Sequence, residues 1–208
     1  MPAGPRAFDA VVFDLLTALI DSWALWNSVA GSAERGLNWR RKYLELTYRA
    51  GAYRPYEGVV REAAELAGID RACAGELVRR WPELAPWPET KEVVAELAGR
   101  VPLGIATNCS IDLGTIAVER SGGRYAAVAT AESVGYYKPR PEPYESVLAT
   151  LGTDPARTLF VAGSAADVPG AKGVGMLVFW HNRTGLAPID DCRPDFTAAS
   201  LRPLLDLV

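Results

Sequence analysis

Histidine occurs once in this chain of 208 residues, at position 181, and cysteine only at 73, 109 and 192. With a single imidazole and no serine or cysteine in a nucleophile context, a hydrolytic triad cannot be assembled. His181 is expected to pack in the loop after the last strand. The three thiols are scattered and match no metal-ligand spacing, which fits reduced cysteines in a cytoplasm. No Lys/Arg-rich stretch occurs and the formal net charge is −3, which makes nucleic acid and anionic membrane surfaces poor partners. No apolar run approaches the roughly 20 residues of a membrane span. No basic region followed by a long apolar stretch opens the sequence, and no Gly-rich phosphate cradle, internal repeat or low-complexity tract occurs. A soluble cytoplasmic protein acting on a small molecule, with no nucleic acid or membrane partner, is the expectation.

What is present is an alternation. Strand-like apolar runs recur at 8–13, 102–106, 125–129, 158–162 and 176–180, and helical spacing fills 111–121, 141–151 and 166–173 between them. That order predicts an α/β fold with a parallel sheet covered on both faces. The interval from Ser22 to Pro88 has no convincing strand. Its apolar residues step by three and four, at Trp23, Trp26, Val29 and Ala30, then Tyr43, Leu44 and Leu46, with further helices around 57–67 and 70–80. Gly68 and Pro82 serve as terminators. The expected architecture is a doubly wound, Rossmann-like core from 1–20 and 89–208, carrying a four-helix cap from 21–88.

In such sheets ligands bind beyond the carboxyl ends of the strands, and three groups with usable chemistry fall there. Asp14 closes the first apolar run, where it can act as a carboxylate nucleophile or merely cap a turn. Thr107 and Asn108 follow the strand at 102–106; their donors suit an anion, while capping of the helix from Ile111 is the plainer role. The stretch Gly163-Ser164-Ala165-Ala166-Asp167 follows the strand at 158–162. Trp23 and Trp26, one helical turn apart, read either as core packing or as the wall of a pocket.

With these motifs in order, and with Lys138-Pro139 between them, the chain resembles the haloacid dehalogenase superfamily, and within it the L-2-haloacid dehalogenases. The likeness runs almost end to end, through Trp39-Arg40-Arg41-Lys42-Tyr43-Leu44-Glu45, Tyr137-Lys138-Pro139 with Tyr144, and His181-Asn182-Arg183-Thr184-Gly185. The resemblance implies catalytic roles for Asp14, Lys138 and Asp167. It implies substrate binding by Arg40, Thr107, Asn108, Trp23, Tyr144 and Ser164. Lys138 would hold Asp14 ionised, since a nearby opposite charge lowers a carboxylate's pKa. Arg40 would face the substrate; without the resemblance, Arg40-Arg41-Lys42 reads as a solvated helix face.

Departures from the family pattern narrow the chemistry. Phosphatases of the superfamily carry a leaving-group acid two residues after the nucleophile, where this chain has Leu16, and magnesium-dependent relatives often carry Asp where it has Gly163. Magnesium needs an octahedral set of hard oxygen ligands, so neither metal nor cofactor is expected. Thr17-Ala18, Ala162 and Ser164 also replace the usual dehalogenase residues. The expected function is metal-independent displacement at the α-carbon of a small 2-substituted carboxylic acid through an aspartyl ester, giving a 2-hydroxy acid. Two alternatives stand beside it: ring opening of azetidine-2-carboxylate by the same displacement, and a magnesium phosphatase. A homodimer is left open.

Overall fold

The structure is a computed structural model that describes residues 8–208, so residues 1–7 of the expected core segment 1–20 lie outside the described residues. The chain enters the sheet at β1 (Ala10–Phe13) and then forms helices α1 (Ser22–Ala30), α2 (Ala33–Ala50), α3 (Tyr56–Leu66) and α4 (Ala72–Arg79) before α5 (Thr90–Ala98). From there strand and helix alternate: β2 (Leu103–Thr107), α6 (Ile111–Ser121), β3 (Ala127–Thr130), α7 (Ala131–Val134), α8 (Pro141–Leu151), β4 (Thr158–Ala162), α9 (Asp167–Gly173) and β5 (Leu177–His181). A short β6 (Phe196–Ala198) and α10 (Leu204–Leu207) finish the fold.

The sheet has six parallel strands in the order β3-β2-β1-β4-β5-β6. The first strand lies inside the sheet, and the chain winds outward from it in both directions. This is a doubly wound α/β fold, and its topological switch point falls at the end of β1. β1, β2 and β4 are buried along their whole length, as expected of strands covered on both faces. Side-chain alternation sorts their residues into two cores. Val11, Phe13, Ile105 and Val161 pack with Val93, Val94, Leu113 and Ala117 of α5 and α6. Val12, Ala106, Phe160 and Ala162 pack with Tyr144, Val147, Val168 and Ala171 of α8 and α9.

Local chemistry sets the helix ends near the site. Asp21 caps α1 by accepting from Ala24 N, and Ser32 caps α2 by accepting from Arg35 N. Gly36 permits the close crossing of those helices, because a Cβ there would overlap Asn27. Trp26 and Trp39 meet at 4.7 Å between ring centroids, with Tyr43, Tyr56 and Trp81 extending the aromatic layer. No helix of the described residues is long and apolar enough to cross a membrane.

Four elements were not anticipated: α5, β6 and the short α7 and α10. β6 has three residues, half-buried and exposed in turn, too few to show a period. His181 is the last residue of β5, not part of the loop beyond it.

Candidate active site

Four strand ends meet at the switch point. Asp14 follows β1, Thr107 and Asn108 come at the end of β2, Lys138 follows β3 and α7, and Ser164 and Asp167 follow β4. The backbone N–H of Asp14 donates to Val161 O at 2.9 Å, which ties the nucleophile candidate to β4. Its two carboxylate oxygens differ. Oδ2 accepts from Thr17 N at 3.0 Å, Thr17 Oγ1 at 2.8 Å and Ala18 N at 3.2 Å. Oδ1 accepts from Lys138 Nζ at 2.9 Å.

Lys138 Nζ also lies 3.0 Å from Asp167 Oδ1, so one buried ammonium bridges two buried carboxylates. The electrostatics separate the acids. Burial pushes the Asp14 carboxyl up, but the Lys138 charge and the donors of Lys138 and Thr17 outweigh it and hold it below the ordinary range. At Asp167 burial dominates; Lys138 pulls the carboxyl down, the Asp14 charge pushes it up, and the outcome is a rise to about 6. Burial depresses the Lys138 ammonium, and the two carboxylates more than restore it, so its pKa is raised. Two carboxyls with separated pKa values, one ionised and one titrating near neutrality, suit different chemical roles.

Gly163 has a steric reason. A Cβ at this position would overlap Ala18 N and Thr17 C and Oγ1, the peptide that feeds donors to Asp14. An aspartate there, as in magnesium-dependent relatives, does not fit this backbone. The remaining carboxylates already share Lys138, and among the described residues no group of three or more His, Cys, Asp or Glu could hold a metal ion.

The cavity at Asp14 measures about 60 Å³ and is lined by Arg40, Thr107, Asn108, Lys138, Ser164 and Asp167, with Leu16, Trp23, Tyr43, Leu44, Tyr48 and Leu186 among its walls. Arg40 is buried and stacks over Trp23, its guanidinium carbon 4.1 Å from the ring centroid. Its Nη1 donates to Ser22 Oγ at 2.7 Å, while Nε is buried without a partner. The tryptophan pair divides: Trp26 is a fully buried core residue and Trp23 is half-buried in the cavity wall.

Two of the substrate-binding candidates have partners within the protein, and one of them, Asn108, still lines the cavity. The Asn108 amide is engaged at both ends by Lys138, donating to its carbonyl at 3.1 Å and accepting from its N–H at 2.7 Å. It therefore positions the lysine. Tyr144 stacks edge-on against Phe160, donates to Asp167 O at 3.4 Å, and does not line the cavity.

Sequence reasoning missed Tyr48, Ser22 and Trp87. Tyr48 lies eight residues after Arg40, on the helix face that carries Leu44, so helical spacing could have found it. Its hydroxyl is buried without a partner. Ser22 joins Arg40 to the nucleophile loop through the Leu16 carbonyl. Trp87 Nε1 donates to Thr17 O at 3.0 Å, the carbonyl of the same peptide whose N–H, on Ala18, donates to Asp14. His181 Nδ1 holds Ala18 O at 2.9 Å. Nothing local in the sequence points to these last two contacts.

A parallel doubly wound sheet with an aspartate–lysine–aspartate constellation at its switch point defines a class of hydrolases. The model of the haloacid dehalogenase-like hydrolase family matches residues 8–175, and the chain belongs to that family. It is 33% identical over 191 residues to an (S)-2-haloacid dehalogenase of Xanthobacter autotrophicus, covering 81% of this chain and 73% of that one. Haloacetate dehalogenase H-2 of a Moraxella species is 28% identical, covering 98% of this chain and 99% of its own. The solved L-2-haloacid dehalogenase of Xanthobacter autotrophicus superposes with a TM-score of 0.82 at 27% identity, covering 96% of this chain and 98% of that one.

Proposed function

We propose that this hydrolase is an (S)-2-haloacid dehalogenase working through an ester of Asp14. The observation that carries the proposal is the bridging of Asp14 and Asp167 by Lys138 at 2.9 and 3.0 Å, with the two acids held at different pKa values. Asp14 Oδ1 has one donor where Oδ2 has three, which leaves Oδ1 the freer lone pair. It attacks the α-carbon, the C–Oδ1 bond forms, and the halide leaves with the electrons of the carbon–halogen bond. Splitting the displacement into ester formation and hydrolysis lets one carboxylate serve both halves.

In the second half Asp167 takes a proton from water, which attacks the Asp14 carboxyl carbon. Collapse expels the product oxygen as an alkoxide that recovers the proton from Asp167. The water oxygen stays in Asp14, and the proton left on the rebuilt carboxyl is released to solvent. A carboxylate whose pKa burial pushes up is a stronger base than an exposed one and suits this transfer. Arg40, which lines the cavity, receives the substrate carboxylate or the departing halide.

Azetidine opening gains nothing from Trp23, whose face already carries Arg40. A magnesium phosphatase lacks an acid at Leu16 and has no room for a carboxylate at Gly163. The test is a single turnover of (S)-2-chloropropionate in heavy-oxygen water. Label in the Asp14 carboxylate is expected; label confined to the lactate overturns the ester. Chelator treatment is expected to leave chloride release intact.

A further inference from the structure

The small cavity at Asp14 adjoins a larger one of about 460 Å³, and Trp23, Arg40, Leu44, Tyr48, Ser164, Ala166 and Leu186 line both. The larger space runs between α2 and the segments after β4 and β5. Leu37 and Leu44 stand on one side, and Ala165, Ala166, Leu186 and Ile189 on the other. Its lining is mostly apolar until Arg41 and Glu45 are reached. Ser164-Ala165-Ala166 supplies only small side chains along its floor, so nothing from the sheet edge fills the space.

A cavity of about 60 Å³, room for several waters at roughly 10–15 Å³ each, accommodates a small acid with its reacting carbon and leaving group but not a long tail. The adjoining volume lies in the range of whole ligand pockets, about 300–1,000 Å³. It has no charged residue at its inner end other than Arg40, which lines both spaces.

We propose that the larger cavity is a subsite for the hydrocarbon tail of the substrate. The chain is then selective for 2-halo acids of hexanoate to octanoate size over haloacetate and 2-halopropionate. This rests on the dehalogenase reading of Asp14 and adds to it the identity of the group carried on the α-carbon. The carboxylate stays at Arg40, the halogen-bearing carbon at Asp14, and the tail runs over Ala165 and Ala166 toward Ile189.

Complete burial of one methylene favours binding roughly fourfold, so two or three buried methylenes raise kcat/KM by tens of fold. The experiment measures bromide release from the (S)-2-bromo acids of propionate, butyrate, hexanoate and octanoate with the unmodified protein. A rise in kcat/KM of at least tenfold from propionate to hexanoate is expected. Ala187→Trp, placed at the exposed rim of the larger cavity, is expected to collapse the hexanoate-to-propionate ratio toward one. A flat or falling series with brisk turnover of 2-bromopropionate overturns the tail subsite and leaves the dehalogenase standing. If no acid releases bromide, the dehalogenase reading fails on its own, and binding of the halogen-free acids decides the subsite. Hexanoate at least tenfold tighter than propionate by calorimetry sustains it, and equal affinities overturn it.

Discussion

On the sheet side of the Asp14 cavity both carboxylate oxygens have donors, and the peptide supplying one of them is itself gripped by Trp87. On the helical side, Arg40 Nε and the Tyr48 hydroxyl are buried and unpartnered. A buried polar atom left unsatisfied costs about 1–3 kcal/mol, a cost that a bound carboxylate or halide can offset. The contrast separates two tasks. On the proposed reading the reacting groups are fixed in advance, as electrostatic preorganisation demands, while the helical wall opposite them is less fully satisfied.

Substitutions can break this contrast, the largest effect first. Asp14→Asn replaces the proposed nucleophile by a neutral amide, and chloride release is expected to fall by roughly 10⁴-fold or more. Loss of less than tenfold in a purified, folded variant would remove Asp14 from the chemistry.

Asp167→Asn follows, with an expected loss of about 10²–10⁴-fold for a missing general base. The unmodified protein supplies the sign of the pH dependence. A carboxyl raised to about 6 is protonated, and unable to accept a proton, below that pH. Asp14, held below the ordinary carboxylate range, is already ionised there. Ester formation removes the Asp14 charge, one cause of that rise, so the ester-hydrolysis rate should rise with pH through a midpoint below about 6 and then level. A hydrolysis rate that falls as pH rises through this range would assign the base elsewhere.

Gly163→Ala forces a methyl into the Thr17–Ala18 peptide. Overpacking of this kind costs about 1–3 kcal/mol, readable as a lowered Tm together with reduced turnover. Unchanged Tm and turnover would show that the loop yields without consequence.

The finest test sets the two sides against each other. Trp87→Phe removes only the donor to Thr17 O and should lower kcat about fivefold with KM little changed, the signature of one neutral hydrogen bond. Tyr48→Phe removes a donor from the helical wall and should raise KM by a similar factor with kcat little changed. Equal effects on both constants in both variants would erase the distinction.

How much of this could be read in the sequence depends on distance along the chain. Strand ends are marked by apolar runs, so Asp14, Thr107, Asn108 and the stretch ending in Asp167 could be read as groups at one sheet edge, while Lys138, which lies beyond α7, and the catalytic roles came only from the resemblance. Arg40 was legible by resemblance. The engagement of Asn108 with the Lys138 backbone, and of Trp87 with Thr17, was not: each joins residues 30 or 70 positions apart, and no local pattern encodes such a partner. Gly163 looked like a missing ligand until the neighbouring loop was seen against it. Trp23 and Trp26 share a helix and a spacing, yet only the packing of Trp26 on Trp39 shows which one belongs to the core.

The two passages of the chain between sheet and helices are stitched to one another. Ile20 bridges Pro86, Asp21 N donates to Ala85 O at 2.9 Å, Trp87 N donates to Leu19 O at 3.0 Å, and Thr90 Oγ1 reaches the same carbonyl at 2.8 Å. A swing of α1–α4 as one body would pull on this seam, and through Trp87 and Thr17 it would pull on Asp14 itself. Traffic through the cavity is then left to the opposite lip, where α2 meets Leu186, Ala187 and Ile189. Movement of the 186–189 segment there breaks no hydrogen bond to Asp14, so on the proposed reading substrate and halide can pass while the carboxylate stays still.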